Sequence, residues 1–135
     1  MQLGMMNDPA RNLIDEINFA GKNKFNFIDL TLEPPLVQVK DINLNQVKSL
    51  CNKYKLGIIG HTNFYLPWAS PIKRLKDASG SELKEQFKCF QDLGVKLVNI
   101  HAHWYQPNSG KKEITDRIIG SLNEIISEVR QHGLQ

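Results

Sequence analysis

The chain has 135 residues, 41% of them hydrophobic and 23% charged, with a formal net charge of +3 at pH 7. That length supports one domain with its own core, and the composition excludes disordered and fibrous classes. Lysines 22, 24, 40, 48, 53, 55, 73 and 76 are dispersed, so the mild basicity does not by itself imply nucleic acid as a partner, and no apolar run is long enough to span a membrane.

The N-terminus lacks a basic region before an apolar run, so the expected location is the cytoplasm. Cys51 and Cys89 fall inside predicted helices and read as buried free thiols.

The elements follow in a regular order. MQLGMM opens as a short strand. Asp8-Pro9 predicts a helix start, cap then proline, with Leu13, Ile14, Ile17 and Ala20 at helical spacing and Gly21 as the stop. FNFIDLTL, residues 25–32, is the second strand, stopped by Pro34-Pro35. Asn43 caps a helix lined by Leu44, Val47, Leu50, Cys51 and Tyr54, and Gly57 closes it.

LGIIGH, residues 56–61, is the third strand, and the loop TNFYLPWASP follows it. Ser79-x-x-Glu82 has the form of a capping box ahead of Leu83, Phe87, Phe90 and Leu93, with Gly94 as the stop. Residues 95–102 read as the fourth strand. A last helix carries Ile114, Ile118, Ile119, Leu122, Ile125, Ile126 and Val129 on one face, with Arg130, His132 and Gly133 at its end.

This is a fourfold strand–helix alternation whose spacing fits right-handed parallel crossovers. The expected class is α/β, a (βα)4 unit formed as a single domain over residues 1–135. Half of an eight-stranded barrel and a small open sheet both fit, and no Gly-rich phosphate loop follows any strand.

In either architecture, chemistry gathers at the C-terminal ends of the strands. Those ends carry Asn7-Asp8; then Asp29, Thr31 and Glu33 at one parity; then His61 and Asn63; then Asn99, His101 and His103. Such carboxylates and imidazoles bind divalent metals, orient sugar hydroxyls or move protons. Bland roles stand beside these: a strand-end histidine satisfied by hydrogen bonds, Asp8 as a cap, Glu33 as a solvated loop residue. Asp29, between Ile28 and Leu30, is a carboxylate in an apolar strand and needs a partner. Phe64, Tyr65, Trp68, Trp104 and Tyr105 either wall a pocket or cap the core.

The stretches FNFIDLTLE, GIIGHTNFYLP and FQDLGVKLVNIHAHW resemble the xylose isomerase-like TIM barrels, a family of sugar-phosphate isomerases and epimerases that includes endonuclease IV. The resemblance covers essentially the whole chain but only the N-terminal half of the family barrel, which needs about 250 residues. It therefore implies a natural half-barrel or a truncation.

The resemblance matches His61 and His101 to histidines of strands three and four, which bind zinc in the endonuclease branch and help bind substrate in sugar epimerases. Asp29 matches the usual strand-two glutamate. Where the family has His-Pro-Gly, this chain has His101-Ala102-His103, which also admits a His-x-His metal pair.

The implied function is metal-assisted proton transfer on a sugar or sugar phosphate once the barrel is complete. Asp29 and Glu33 would be the acid/base residues. His61, His101, Asn63, Trp68 and Trp104 would contact substrate, and His61, His101 and His103 would hold zinc, manganese or magnesium. The alternative is a non-catalytic half-barrel for binding or assembly. Endonuclease-like phosphodiester cleavage ranks behind both. An open half-barrel leaves sheet edges and an apolar face uncovered, so a homodimer or higher even oligomer is expected.

Overall fold

The computed structural model describes residues 1–101 and 110–135. Four strands form one sheet: β1 (Gly4–Met6), β2 (Phe27–Thr31), β3 (Gly57–His61) and β4 (Val98–Asn99). They lie in sequential order and every pair is parallel. Helices α1 (Leu13–Lys22), α2 (Leu44–Tyr54), α3 (Lys73–Leu93) and α4 (Lys111–Gln131) connect or follow them, with a short 3-10 turn at Val39–Asp41. The expected (βα)4 alternation is thus the architecture of the chain.

The core lies between the sheet and its helices. Ile28 and Leu30 of β2 are fully buried there, against Ile17 and Ala20 of α1, Val47 of α2 and Phe87 and Phe90 of α3. Residues of the other parity point to the opposite face. Met6 and Leu97 stay more than half exposed there, while Phe27, Asp29 and Ile59 are half-buried. Period-two alternation therefore separates an apolar outer face from an inner face that carries the polar groups.

Several predicted boundaries are corrected. Asp8 does not cap α1: its carboxylate accepts from Ala10 N–H at 2.9 Å in a turn, and Asn12 caps instead, accepting from the Ile14 and Asp15 amides. Gly21 does not end α1. It lies within the helix because a Cβ there would stand 2.1 Å from the Tyr54 ring, so the glycine permits close approach of α1 and α2. The stop of α2 is Lys55 in the left-handed region, and Gly57 is the first residue of β3.

Ser79 is no cap either. The third helix begins two turns earlier, at Lys73, and the Ser79 hydroxyl donates back to Leu75 O at 2.8 Å. Ile119 and Ile126 fall off the buried stripe of α4 and are exposed.

Asn43 does cap α2, and Gly94, at φ 78°, does end α3. Among the described residues of the predicted fourth strand, Val98–Asn99 pair with β3. On the other side of β4, Gln135 N–H donates to Lys96 O and Gln135 O accepts from Val98 N–H, both at 2.8 Å, the pattern of parallel pairing. Cys51 and Cys89 are buried and free. No helix among the described residues is long and apolar enough to cross a membrane.

Candidate functional site

Register brings the site together. Thr31 pairs with His61 and His61 with Asn99, so these positions share the inner face at the C-terminal rim, and Asp29 lies one inner position below Thr31. His61, only 6% exposed, is the centre. Its Nδ1 stands 3.1 Å from Asp29 Oδ2, and its Nε2 stands 2.6 Å from His101 Nε2. Three side chains from consecutive strand ends therefore form one line, Asp29–His61–His101.

Proton positions follow from chemistry. An ionised Asp29 only accepts, so His61 Nδ1–H donates to it. In the neutral ring this leaves a lone pair on Nε2, and His101 Nε2–H donates to that lone pair. At 2.6 Å only one proton fits between the two rings. Asp29 Oδ1 and the Thr31 hydroxyl oxygen are buried and have no hydrogen-bond partner among the described residues.

The aromatic loop after β3 supports His101 from behind. The Trp68 indole N–H donates to His101 O at 3.1 Å, and Phe64 meets the His101 ring edge-on, centroids 4.8 Å apart. Trp68 is itself 5% exposed, so it braces the histidine through the backbone.

Glu33 and Asn63 stand off the line. Glu33 Oε1 accepts from Phe64 N–H at 2.9 Å, and Asn63 Oδ1 accepts from Tyr65 N–H at 2.8 Å. Both are committed to shaping the loop that carries Phe64. His103 and Trp104 lie outside the described residues.

Two buried amides were absent from the predicted site. In the sequence Asn7 stands out only as a strand end. Gln86 left one readable trace: it occupies a core-facing place in the helical series Leu83, Phe87, Phe90.

The metal expectation was tested on the donor geometry. A tetrahedral zinc with bonds of about 2.0–2.1 Å would hold two imidazole nitrogens roughly 3.3 Å apart. The His61 and His101 nitrogens are 2.6 Å apart, and no group of three metal-binding side chains occurs among the described residues. As arranged, the pair suits a shared proton, and the third expected ligand, His103, lies outside the described residues.

Comparison with known proteins agrees with the fold. Residues 17–135 match the family model described as xylose isomerase-like TIM barrel. A probable endonuclease 4 from Thermotoga petrophila is 31% identical over 67 residues, 50% of this chain and 23% of that protein. Among solved structures, a D-tagatose 3-epimerase-like protein superposes over the whole chain with a TM-score of 0.82 at 18% identity, covering 51% of that protein. A D-psicose 3-epimerase from Clostridium cellulolyticum H10, solved with D-tagatose, gives 0.78 at 14% identity over 99% of this chain and 50% of its own. This chain spans about half the length of those structures and less than a quarter of the curated relative. At such identities the structures speak for the fold alone, while the family match covers most of the sequence. By that match, together with the parallel (βα)4 sheet, the chain belongs to the xylose isomerase-like TIM barrel family.

Proposed function

We propose that this chain is part of a sugar isomerase or epimerase that takes a proton from a carbon next to the carbonyl of a sugar or sugar phosphate and returns it, to the adjacent carbon in an isomerase or to the other face of the same carbon in an epimerase. The observation that carries the reading is the Asp29–His61–His101 line at the rim of the inner face. His101 Nδ1 has no hydrogen-bond partner among the described residues, so it is the open end of the line. A proton accepted there lets the Nε2–H of His101 pass to His61 Nε2. The imidazolium formed on His61 then faces the Asp29 carboxylate, which stabilises it. His101 is the acid/base residue in this reading, and Asp29 acts through His61. The epimerase neighbours support the substrate class. Polarisation by zinc, manganese or magnesium would need ligands in addition to His61 and His101.

The chain's other expectations enter here too. Met6 and Leu97, exposed on a sheet face, support association of half-barrels through that face. Among the described residues β1 has no strand on its outer side, and on the far side of β4 Gln135 alone pairs with it. Two buried free thiols suit the reducing cytoplasm.

The test is proton exchange. The protein is incubated with D-tagatose or D-psicose in D2O, with and without Mn2+, and deuterium at C3 is followed by NMR while the histidine ring signals are recorded. The expected result is exchange that falls about 100-fold or more in His101→Gln, in keeping with general acid–base catalysis. Sugar-dependent shifts of the His61 and His101 signals without exchange would favour the non-catalytic binding module. No exchange and no shift overturns the reading.

A further inference from the structure

We infer that Asn7 and Gln86 are positioning residues: two buried side-chain amides that continue the sheet's hydrogen bonding past its strands and thereby set the distance between Asp29 and His61. The inference rests on the Asp29–His61–His101 line being the site.

The ladder between β1 and β2 ends where Met6 pairs with Asp29. Beyond it, Thr31 still presents an amide and a carbonyl toward β1. The Asn7 side chain meets both: Thr31 N–H donates to Asn7 Oδ1 at 2.8 Å, and Asn7 Nδ2 donates to Thr31 O at 3.3 Å. A carboxamide offers one acceptor and a donor in a plane, as a peptide group does. Asn7 therefore does the work of another residue of β1.

Gln86 repeats the device one strand along. Reaching in from α3, its Oε1 accepts from Asn63 N–H at 3.1 Å and its Nε2 donates to Leu32 O at 3.5 Å. The same Nε2 lies 3.3 Å from Glu82 Oε1. Between these clips Leu32 N–H donates to His61 O at 3.1 Å. Both amides are 1% exposed. Buried polar groups that have found partners resist displacement, because a slip leaves a donor or acceptor unpaired.

The consequence is local to the site. Asn7 holds Thr31, two residues after Asp29, and Gln86 holds Asn63, two residues after His61. The Asp29–His61 bond of 3.1 Å has little slack, since half an ångström takes it past hydrogen-bonding distance. Without the clips, strand ends that diverge by sheet twist would part at this point.

The test reads the site's own proton, so it needs no sugar. In 15N-labelled protein, the His61 Nδ1–H held by Asp29 gives a downfield proton signal, assigned by its disappearance in His61→Gln. His132, bonded to Gln91 and Glu128 on the helix side, is the control. Gln86→Met and Asn7→Leu are expected to lose or broaden the His61 signal while the His132 signals hold their positions. If either variant does not fold, Gln86→Glu and Asn7→Asp keep an acceptor in place, and a shift of the His61 signal is expected in each. Folded variants whose His61 signal superposes on the parent's overturn the inference, as does equal disturbance of His61 and His132. The sugar reading falls by a different result, absence of any sugar-dependent shift or exchange, so the two failures are told apart.

Discussion

Gly60 lies in β3, next to His61, and faces the helix layer. A Cβ built there stands 3.0 Å from three carbons of the Phe90 ring, tighter than the 3.4–4 Å of ordinary contact. Phe90 is fully buried, so any shift of the ring has to be taken up by the core around it. Two effects oppose each other in Gly60→Ala. The backbone is outside the positive-φ region, so alanine is conformationally acceptable and would stabilise by about 0.4–1 kcal/mol through the unfolded chain. Forcing a methyl against a buried ring costs about 1–3 kcal/mol. The net expectation is a loss of about 0.5–2 kcal/mol.

A double-mutant cycle isolates the clash. In a Phe90→Leu background the ring is gone, and Gly60→Ala should become neutral or stabilising by up to about 1 kcal/mol. The coupling between the two sites is then about 1–3 kcal/mol, well above the roughly 0.3–0.5 kcal/mol scatter of independent sites. Urea unfolding followed by circular dichroism measures all four variants. A Gly60→Ala protein as stable as the parent, or a coupling within that scatter, refutes the packing of Phe90 on β3.

Three further expectations follow from other parts of the molecule. Asn12→Ala removes the acceptor for two amides at the start of α1 and should cost about 1 kcal/mol in urea unfolding, whereas Asp8→Ala, which removes no cap, should cost less. Burial pushes the Cys51 and Cys89 thiols from 9.0 up to about 11, with Asp92 adding to the rise at Cys89. Native alkylation with iodoacetamide at pH 8 should therefore run about 100-fold slower than in urea. Because the folded pKa is raised, this contribution to stability is fully present below pH 9 and is lost as pH climbs through about 11; melting curves of the Cys51→Ala/Cys89→Ala variant should show a flatter decline over that window. Light scattering at micromolar concentration should give a mass above the 15.4 kDa monomer, falling toward it in Met6→Ser/Leu97→Ser; a parent protein that is monomeric and unfolds cooperatively refutes association through the inner face.

The sequence alone determined the (βα)4 order, because alternating short apolar runs and amphipathic stretches leave few other topologies. It also determined the inner-face parity of Asp29, His61 and His101, which follows from the two-residue period of a strand. What it misplaced were boundaries, where local signals have several uses. Asp8-Pro9 has the look of a helix start but spends its carboxylate on a turn, and Ser79-x-x-Glu82 has the look of a cap but lies inside α3. Gly21 was read as a stop, yet only the approach of Tyr54 from another helix explains it.

Tertiary structure decided everything that depends on distance between elements. Register placed His61 beside both Asp29 and His101, and the two imidazole nitrogens came to lie 2.6 Å apart, close enough to share a proton. The commitment of Glu33 to Phe64 N–H and of Trp68 to His101 O is likewise invisible in one dimension, because each bond joins residues more than thirty positions apart. Gln86 shows the limit most clearly. Nothing in Leu83–Phe90 tells that its amide spans two strand ends, since its partners, Leu32 and Asn63, are brought to it only when the sheet forms against α3.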